Sequence, residues 1–257
     1  MSSKAFQFIL LLICCTANAQ HILPMDTLQL RETKELFADD YGNIYLYRNK
    51  DFSLTKYDSL GVQKGRLMLT LPFRIQAVQN PLNIPTFSEN AQVLRYYDQN
   101  LNEIQTVDLR NHFGYIKAAY AEDQQFVWLL DESTKRLIRF NFRDGKSVHN
   151  LPLSLSFDGI RDLLVFENRI HILTQHQLLV YDIRAEKLLE LPFEDGKRLR
   201  RENDRIYIIS ADSVSFLDNG QTREIFRVPG ALIVDKNSTR YFVIKENNLY
   251  LYPVQNR

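Results

Sequence analysis

Cysteine is almost missing from this chain of 257 residues: the two it has, Cys14 and Cys15, sit side by side in one N-terminal apolar run. With that run set aside, a disulfide framework, a thiolate metal site and a cysteine nucleophile are all excluded. Glycine is scarce too, at 9, beside 8 prolines, which rules out collagen-like, Gly-linker and low-complexity architectures. Neither sign of charge dominates, since 32 Lys and Arg stand against 31 Asp and Glu. Non-specific nucleic-acid binding relies on a basic surface, so it finds no support. No apolar run reaches the roughly 20 residues of a membrane-spanning helix. Aromatic side chains are what the chain has, with 16 Phe and 13 Tyr to a single Trp. Hydrophobic content of 45% and charged content of 25% suit a globular protein with a sizeable core.

The N-terminus reads as an address. Lys4 is followed by the apolar run Phe6 to Cys15, then by Thr16-Ala17-Asn18-Ala19, an A-x-A type cleavage site. Residues 1–19 are therefore expected to be a signal peptide, with the mature chain starting at Gln20. Cys14 and Cys15 lack the small preceding residue of a lipoprotein signal, so lipidation is not expected. Cleavage removes Lys4 and both thiols, leaving 31 residues of each sign. A thiol-free chain suits an oxidising compartment. The expectation is export, to the periplasm first, with secretion or outer-membrane association as the alternative.

A repeat runs through the rest. Six times an apolar strand ends in an aromatic residue, often followed by Asp or Asn, with leucine taking the aromatic place once: Tyr57-Asp58, Tyr97-Asp98, Phe140-Asn141, Tyr181-Asp182, Leu217-Asp218 and Tyr252-Pro253. The spacings are 40, 43, 41, 36 and 35 residues. A second strand precedes each copy, beginning at Ile44, Ile84, Phe126, Ile170, Ile206 and Tyr241. Further strands flank these, separated by turn residues such as Asp144-Gly145 and Asn219-Gly220. β-Branched and aromatic residues near a period of two mark strands throughout, and no stretch carries a capped helical period. Four strands per unit of 35–45 residues define a propeller blade. The fold class is all-β: a six-bladed β-propeller of four-stranded blades over residues 20–257, as one domain. The last unit lacks its fourth strand. The alternating segment Met25–Leu30 is expected to supply it, pairing with residues 248–252 and closing the ring from the N-terminus.

The first unit, Ala38-Asp-Asp-Tyr-Gly-Asn-Ile-Tyr-Leu46 followed by Tyr57-Asp-Ser-Leu-Gly61, resembles the blades of NHL-type six-bladed propellers. Leader and strand style also resemble those of exported Bacteroidota propellers. The resemblance covers the mature length at the level of strand outline, and it implies the fold without an activity.

Chemistry is sparsely signposted. There is no G-x-S-x-G elbow, H-E-x-x-H helix, P-loop or G-x-G-x-x-G. The histidines His21, His112, His149, His171 and His176 share no ligand spacing, although His171 and His176 fall in one hairpin. Lactonase-type propellers gather acid and amide ligands on inner strands. The candidates here, Asp39, Asp40, Asn80, Glu122, Asp123, Glu202, Asp235 and Asn237, scatter over different registers. No metal, cofactor or catalytic residue is assigned. One cluster departs from the pattern: Lys197-Arg198-Leu199-Arg200-Arg201 fills the inner-strand slot of the fifth unit, where the others are apolar. Arginines in a narrow channel need a carboxylate or an anionic ligand. Lys197, Arg198, Arg200 and Arg201 are therefore the candidate partner- or ligand-binding residues, with Glu202 and Asp204 as partial neutralisers. In the alignment of the repeats, Arg200 falls opposite Val234 and Arg201 opposite Asp235. Two functions remain. One is an exported, non-catalytic interaction or scaffold module of the cell envelope, monomeric by itself and with a protein partner. The other is a carbohydrate-binding or metal-dependent, lactonase- or lyase-like propeller using the channel mouth.

Overall fold

The computed structural model describes residues 21–23, 25 and 27–254; the expected leader and both cysteines lie outside them. The chain opens with β1 (His21–Leu23) and a short helix, α1 (Thr27–Glu32), and then builds blades in sequence order. Blade one is β2 (Thr33–Ala38), β3 (Ile44–Arg48), β4 (Ser53–Tyr57) and β5 (Gln63–Met68). Blade two is β6 (Arg74–Ile75), β7 (Ile84–Ser88), β8 (Val93–Tyr97) and β9 (Glu103–Asp108). Blade three is β10 (Ile116–Ala121), β11 (Phe126–Asp131), β12 (Arg136–Asn141) and β13 (Lys146–Pro152). Blade four is β14 (Ile160–Phe166), β15 (Arg169–Thr174), β16 (Gln177–Asp182) and β17 (Lys187–Pro192). Blade five is β18 (Arg198–Glu202), β19 (Arg205–Ile209), β20 (Ser213–Asp218) and β21 (Gln221–Arg227). Blade six is β22 (Ile233–Lys236), β23 (Arg240–Lys245) and β24 (Asn248–Pro253), completed by β1. This is a six-bladed β-propeller.

Each blade is sandwiched between two others, so its middle strands are covered on both faces. That is why Ile44–Arg48 and Ile84–Ser88 read as unbroken buried runs rather than alternating ones. The core is accordingly divided into six clusters, one for each blade interface. Leu36, Leu46 and Ile244 join blades one and six, for example, and Leu164, Leu173 and Ile208 join blades four and five. A fully buried Leu or Ile in such a layer contributes about 1.5–3 kcal/mol. The outer strands face water and are broken up by charge, as in Gln63-Lys-Gly-Arg and Gln221-Thr-Arg-Glu, which discourages edge-to-edge pairing.

The recurrent aromatic-Asp pair has a local cause. The aromatic packs between blades while the following side chain caps the turn into the outer strand. Asp58 accepts the Leu60 and Val62 N–H groups at 2.9 and 3.0 Å, and Asp98 accepts those of Asn100 and Asn102 at 2.8 and 2.9 Å. Asp182 does the same for Arg184 and Glu186. These are Asx turns. The left-handed position they require is Gly61 in blade one, with φ 79°, but Leu101 and Ala185, both at φ 65°, in blades two and four.

One expectation is corrected. The closing strand is His21–Leu23, not Met25–Leu30: His21 pairs with Leu251, Ile22 with Tyr250 and Leu23 with Leu249. The chain must then pass from the outer edge of blade six to the inner strand of blade one, roughly 14 Å across four strands. It does so partly as α1, which buries Leu30 against Leu23 and Ile244. Blade two differs from the others, because its inner strand is only Arg74–Ile75. Gln76 donates its N–H to the Pro85 carbonyl at 3.0 Å, but Pro85 has no N–H to return, and the ladder ends.

Closure by three residues makes a sharp prediction. Leu23→Asp puts a charge at a site only 4% exposed and should detach β1. We expect a loss of about 3–4 kcal/mol in urea unfolding and concentration-dependent light scattering from the freed edge of β24. Unchanged stability would mean that the ring holds without β1.

Candidate functional site in the central channel

The six inner strands line the channel, and blade five brings its basic cluster there. Backbone register pairs Arg200 with Tyr207 in blade five and Asp235 with Phe242 in blade six. Tyr207 and Phe242 hold equivalent places, so Arg200 and Asp235 share one layer of adjacent inner strands. This shifts the expected alignment of blade six by one residue, and the shift matters because neighbouring strand residues point to opposite faces. The carboxylate demanded by the arginines is thus Asp235.

Asp235 is fully buried. Its Oδ1 lies 2.5 Å from Arg198 Nη2 and its Oδ2 lies 3.6 Å from Arg200 Nη1. Oδ2 also accepts the Ala38 N–H of blade one at 2.8 Å. The two guanidinium groups reach past blade six to the same strand. Arg198 donates to the Leu36 carbonyl at 2.8 Å, and Arg200 to the Ala38 carbonyl at 3.0 Å. Arg198 also lies over the Phe37 ring at 4.1 Å, a cation–π contact. Glu202, expected to neutralise the cluster, instead pairs with Lys236.

The cluster therefore divides along its strand. Arg200, 4% exposed, is internal. Lys197 and Arg201 are exposed at opposite ends of β18, about 13 Å apart at strand spacing. Arg201 packs 3.8 Å over the Phe166 ring and donates to the Asn203 carbonyl.

Further bonds cross the channel. Asp162, in blade four, accepts the Leu199 N–H at 2.7 Å and the Leu163 N–H at 3.0 Å. Burial raises its carboxyl to about 6 against the pull of Arg74, those two N–H groups and Arg198. Arg74 of blade two donates to the Arg161 carbonyl of blade four, and Gln79 of blade two to the Arg201 carbonyl of blade five at 3.2 Å. Gln76 closes both ends of its amide on blade three, at the Ala119 carbonyl and the Ala121 N–H, each at 2.7 Å.

The acid and amide candidates serve the backbone. Asp39 accepts the Tyr41 and Asn43 N–H groups at 2.9 and 2.8 Å, and the Tyr45 hydroxyl at 3.1 Å. That hydroxyl's pKa is raised, first by burial and then by the carboxylate. Burial alone would raise Asp40, yet hydrogen bonds from Ser238 and the Arg200 and Lys236 charges hold it below the usual carboxylate range. Asn237 donates to the Asp39 carbonyl at 2.9 Å. Among the described residues no three His, Cys, Asp or Glu side chains gather as metal ligands would. His171 and His176 do not meet. Burial inside blade four holds His171 down at about 4, while His176 is exposed and contacts Glu194 at 2.8 Å.

The match to known proteins lies in backbone alone. No family model and no curated protein matches the chain. Among solved structures it is similar to a Bacteroides thetaiotaomicron protein of unknown function, at 11% identity and a TM-score of 0.62 over 92% of this chain and 76% of that one. It is also similar to a streptogramin B lyase, at 12% identity and 0.56 over 88% and 84%. The inactive virginiamycin B lyase of Staphylococcus aureus with quinupristin gives 12% and 0.52 over 93% and 89%. These likenesses show the fold. The expected resemblance to six-bladed propellers is borne out at that level, and no activity is carried over with it.

Two predictions follow from the channel. Asp235→Asn leaves two buried guanidinium groups without a counter-charge and should cost about 3–5 kcal/mol in chemical denaturation. Adding Arg198→Met and Arg200→Met to it should recover much of that loss. A single variant as stable as the native chain would show that the pairing is dispensable. The second concerns pH. Asp162 titrates near 6 when folded and near 4 when unfolded, so the folded state holds the extra proton between those values. Its contribution to stability is full below about pH 4 and is lost as pH rises through 6. Asp162→Asn should therefore gain on the native chain by up to about 2–3 kcal/mol between pH 4 and 6. A difference independent of pH would show that Asp162 titrates normally.

Proposed function

We propose that this chain is an exported, non-catalytic propeller of the cell envelope that acts as an interaction or scaffold module for a protein partner. The observation that carries the reading is the bridged channel. Side chains of blades two, four, five, six and one join across it, so the interior is committed to holding the ring. Recognition then falls to the faces and mouths. Export rests on the leader expected over residues 1–19, and the periplasm is the compartment that a thiol-free mature chain suits. No helix among the described residues is long and apolar enough to cross a membrane. Of the basic cluster, Lys197 and Arg201 are the exposed members and face the partner, while Arg198 and Arg200 hold the wall behind them.

The test has two arms. Fractionation should recover the chain outside the cytoplasm, with a mature N-terminus at Gln20. Crosslinking of a tagged chain in intact cells should give a discrete adduct that the reciprocal tag on the identified partner also captures. Lys197→Gln with Arg201→Gln should reduce that adduct severalfold without changing the melting temperature. A cytoplasmic location, or a chain free of any reciprocal adduct, would overturn the reading.

A further inference from the structure

Three inner strands carry the same irregularity near their start, and in each the bulged residue is basic. The ladder shifts between Thr33 and Glu35, between Ile116 and Ala118, and between Ile160 and Asp162, which leaves Lys34, Lys117 and Arg161 at the bulges. In blade five both Lys197 and Arg198 face Ile209, since the Lys197 N–H reaches its carbonyl at 2.8 Å, so Lys197 holds the equivalent place. A bulge re-aims a side chain out of the sheet plane, and a bulge repeated around a ring gathers those side chains at one mouth. Lys117 is paired there with Glu89 at 2.8 Å. Lys34, Arg161 and Lys197 are exposed, and no ion pair among the described residues engages them.

These charges feel one another. Partial burial and then the Lys34, Arg198 and Arg161 charges lower the pKa of the Lys197 amine, against the opposing pull of Glu35. Arg74 and Arg198 act on Asp162 in the same way, which places them beside it. Five cations (Lys34, Arg74, Arg161, Lys197 and Arg198) thus lie with three carboxylates (Glu35, Asp162 and Asp235). Asp235 is already shared between two arginines. In a chain whose charges otherwise balance, this is a local excess of positive charge at the channel mouth, and such an excess attracts anions.

We infer that the channel mouth at the start of the inner strands is a docking site for an acidic peptide segment of a protein partner, held by Lys34, Arg74, Arg161 and Lys197 from blades one, two, four and five. The inference rests on the interaction-module reading and specifies its partner's chemistry. The cations come from four strands around a ring, so they match carboxylates distributed along a segment rather than one compact phosphate. Glu35 among them would repel a sugar polyanion charged at every unit, whereas a peptide's N–H groups can satisfy it. Arg201, at the far end of β18, lies outside this peptide site, and its contact with the partner is separate from it.

A fluorescently labelled deca-glutamate peptide, followed by anisotropy with the whole folded chain, provides the test. Binding should be measurable at 50 mM salt and weaken at least tenfold at 300 mM. Lys34→Glu with Lys197→Glu should weaken it at least tenfold with an unchanged melting temperature. Lys146→Glu with Arg223→Glu, the same charge change on the outer strands of blades three and five, should leave it within twofold, as should Arg201→Gln. Inorganic phosphate should compete no better than chloride of equal ionic strength. Equal binding by both double variants, strong competition by phosphate, or binding of a sulfated polysaccharide in place of the peptide would each overturn the proposal. The crosslinked adduct is read separately: an adduct that survives Lys34→Glu with Lys197→Glu leaves the scaffold reading standing and removes this site.

Discussion

Asp235 is the constraint around which the ring is arranged. It lies on the last inner strand, accepts a backbone N–H from the first, and faces two arginines from the fifth. Blades five, six and one meet there, and the N- and C-terminal parts of the chain are brought together around this carboxylate as well as by the outer strand β1. Taking three charged groups out of water is costly. Three hydrogen bonds to the Leu36 and Ala38 backbone offset part of that cost, while Arg198 Nη2, Asp235 Oδ1 and the Nε and Nη2 of Arg200 make no hydrogen bond and rely on the ion pairing itself. An apolar residue would suit any neighbouring layer, whereas Arg198 and Arg200 both lie beside the Asp235 carboxylate in this register.

The same economy of polar groups recurs around the channel. Blade two, cut short by Pro85, gives up strand pairing and sends Arg74, Gln76 and Gln79 to three other blades. Blade four ties to blade five through Asp162. Inner strands are too few and too short to satisfy one another by a ladder, so side chains complete the lining. The channel is thereby bridged through its centre by side chains of several blades, and at its start bulges leave Lys34 and Arg161 exposed.

The propeller was legible in the sequence because a blade is a local object. Its strands are consecutive, its turns carry their own caps, and the aromatic-Asp pair repeats wherever an Asx turn must form. The unusual character of Lys197–Arg201 was equally visible, because charge in an apolar slot is conspicuous against five other copies. What lies opposite that charge was not visible. Asp235 is 35 residues from Arg200 along the chain, and a one-residue error in the alignment of blade six faces Arg200 with Val234 instead. The division of the cluster into a buried Arg200 and exposed Lys197 and Arg201 follows from strand alternation and from where each end of β18 emerges.

By itself the sequence determined the strand count, the six-fold repeat and the completion of the last blade from the N-terminus, all of which depend on local pattern and on counting. Only the tertiary structure decided which N-terminal residues close the ring, which carboxylate answers the arginines, and that basic residues from four blades converge on one mouth. Those facts depend on groups far apart in the chain meeting within a few ångströms. A period of two or of forty residues carries no information about which side chains face each other across a channel.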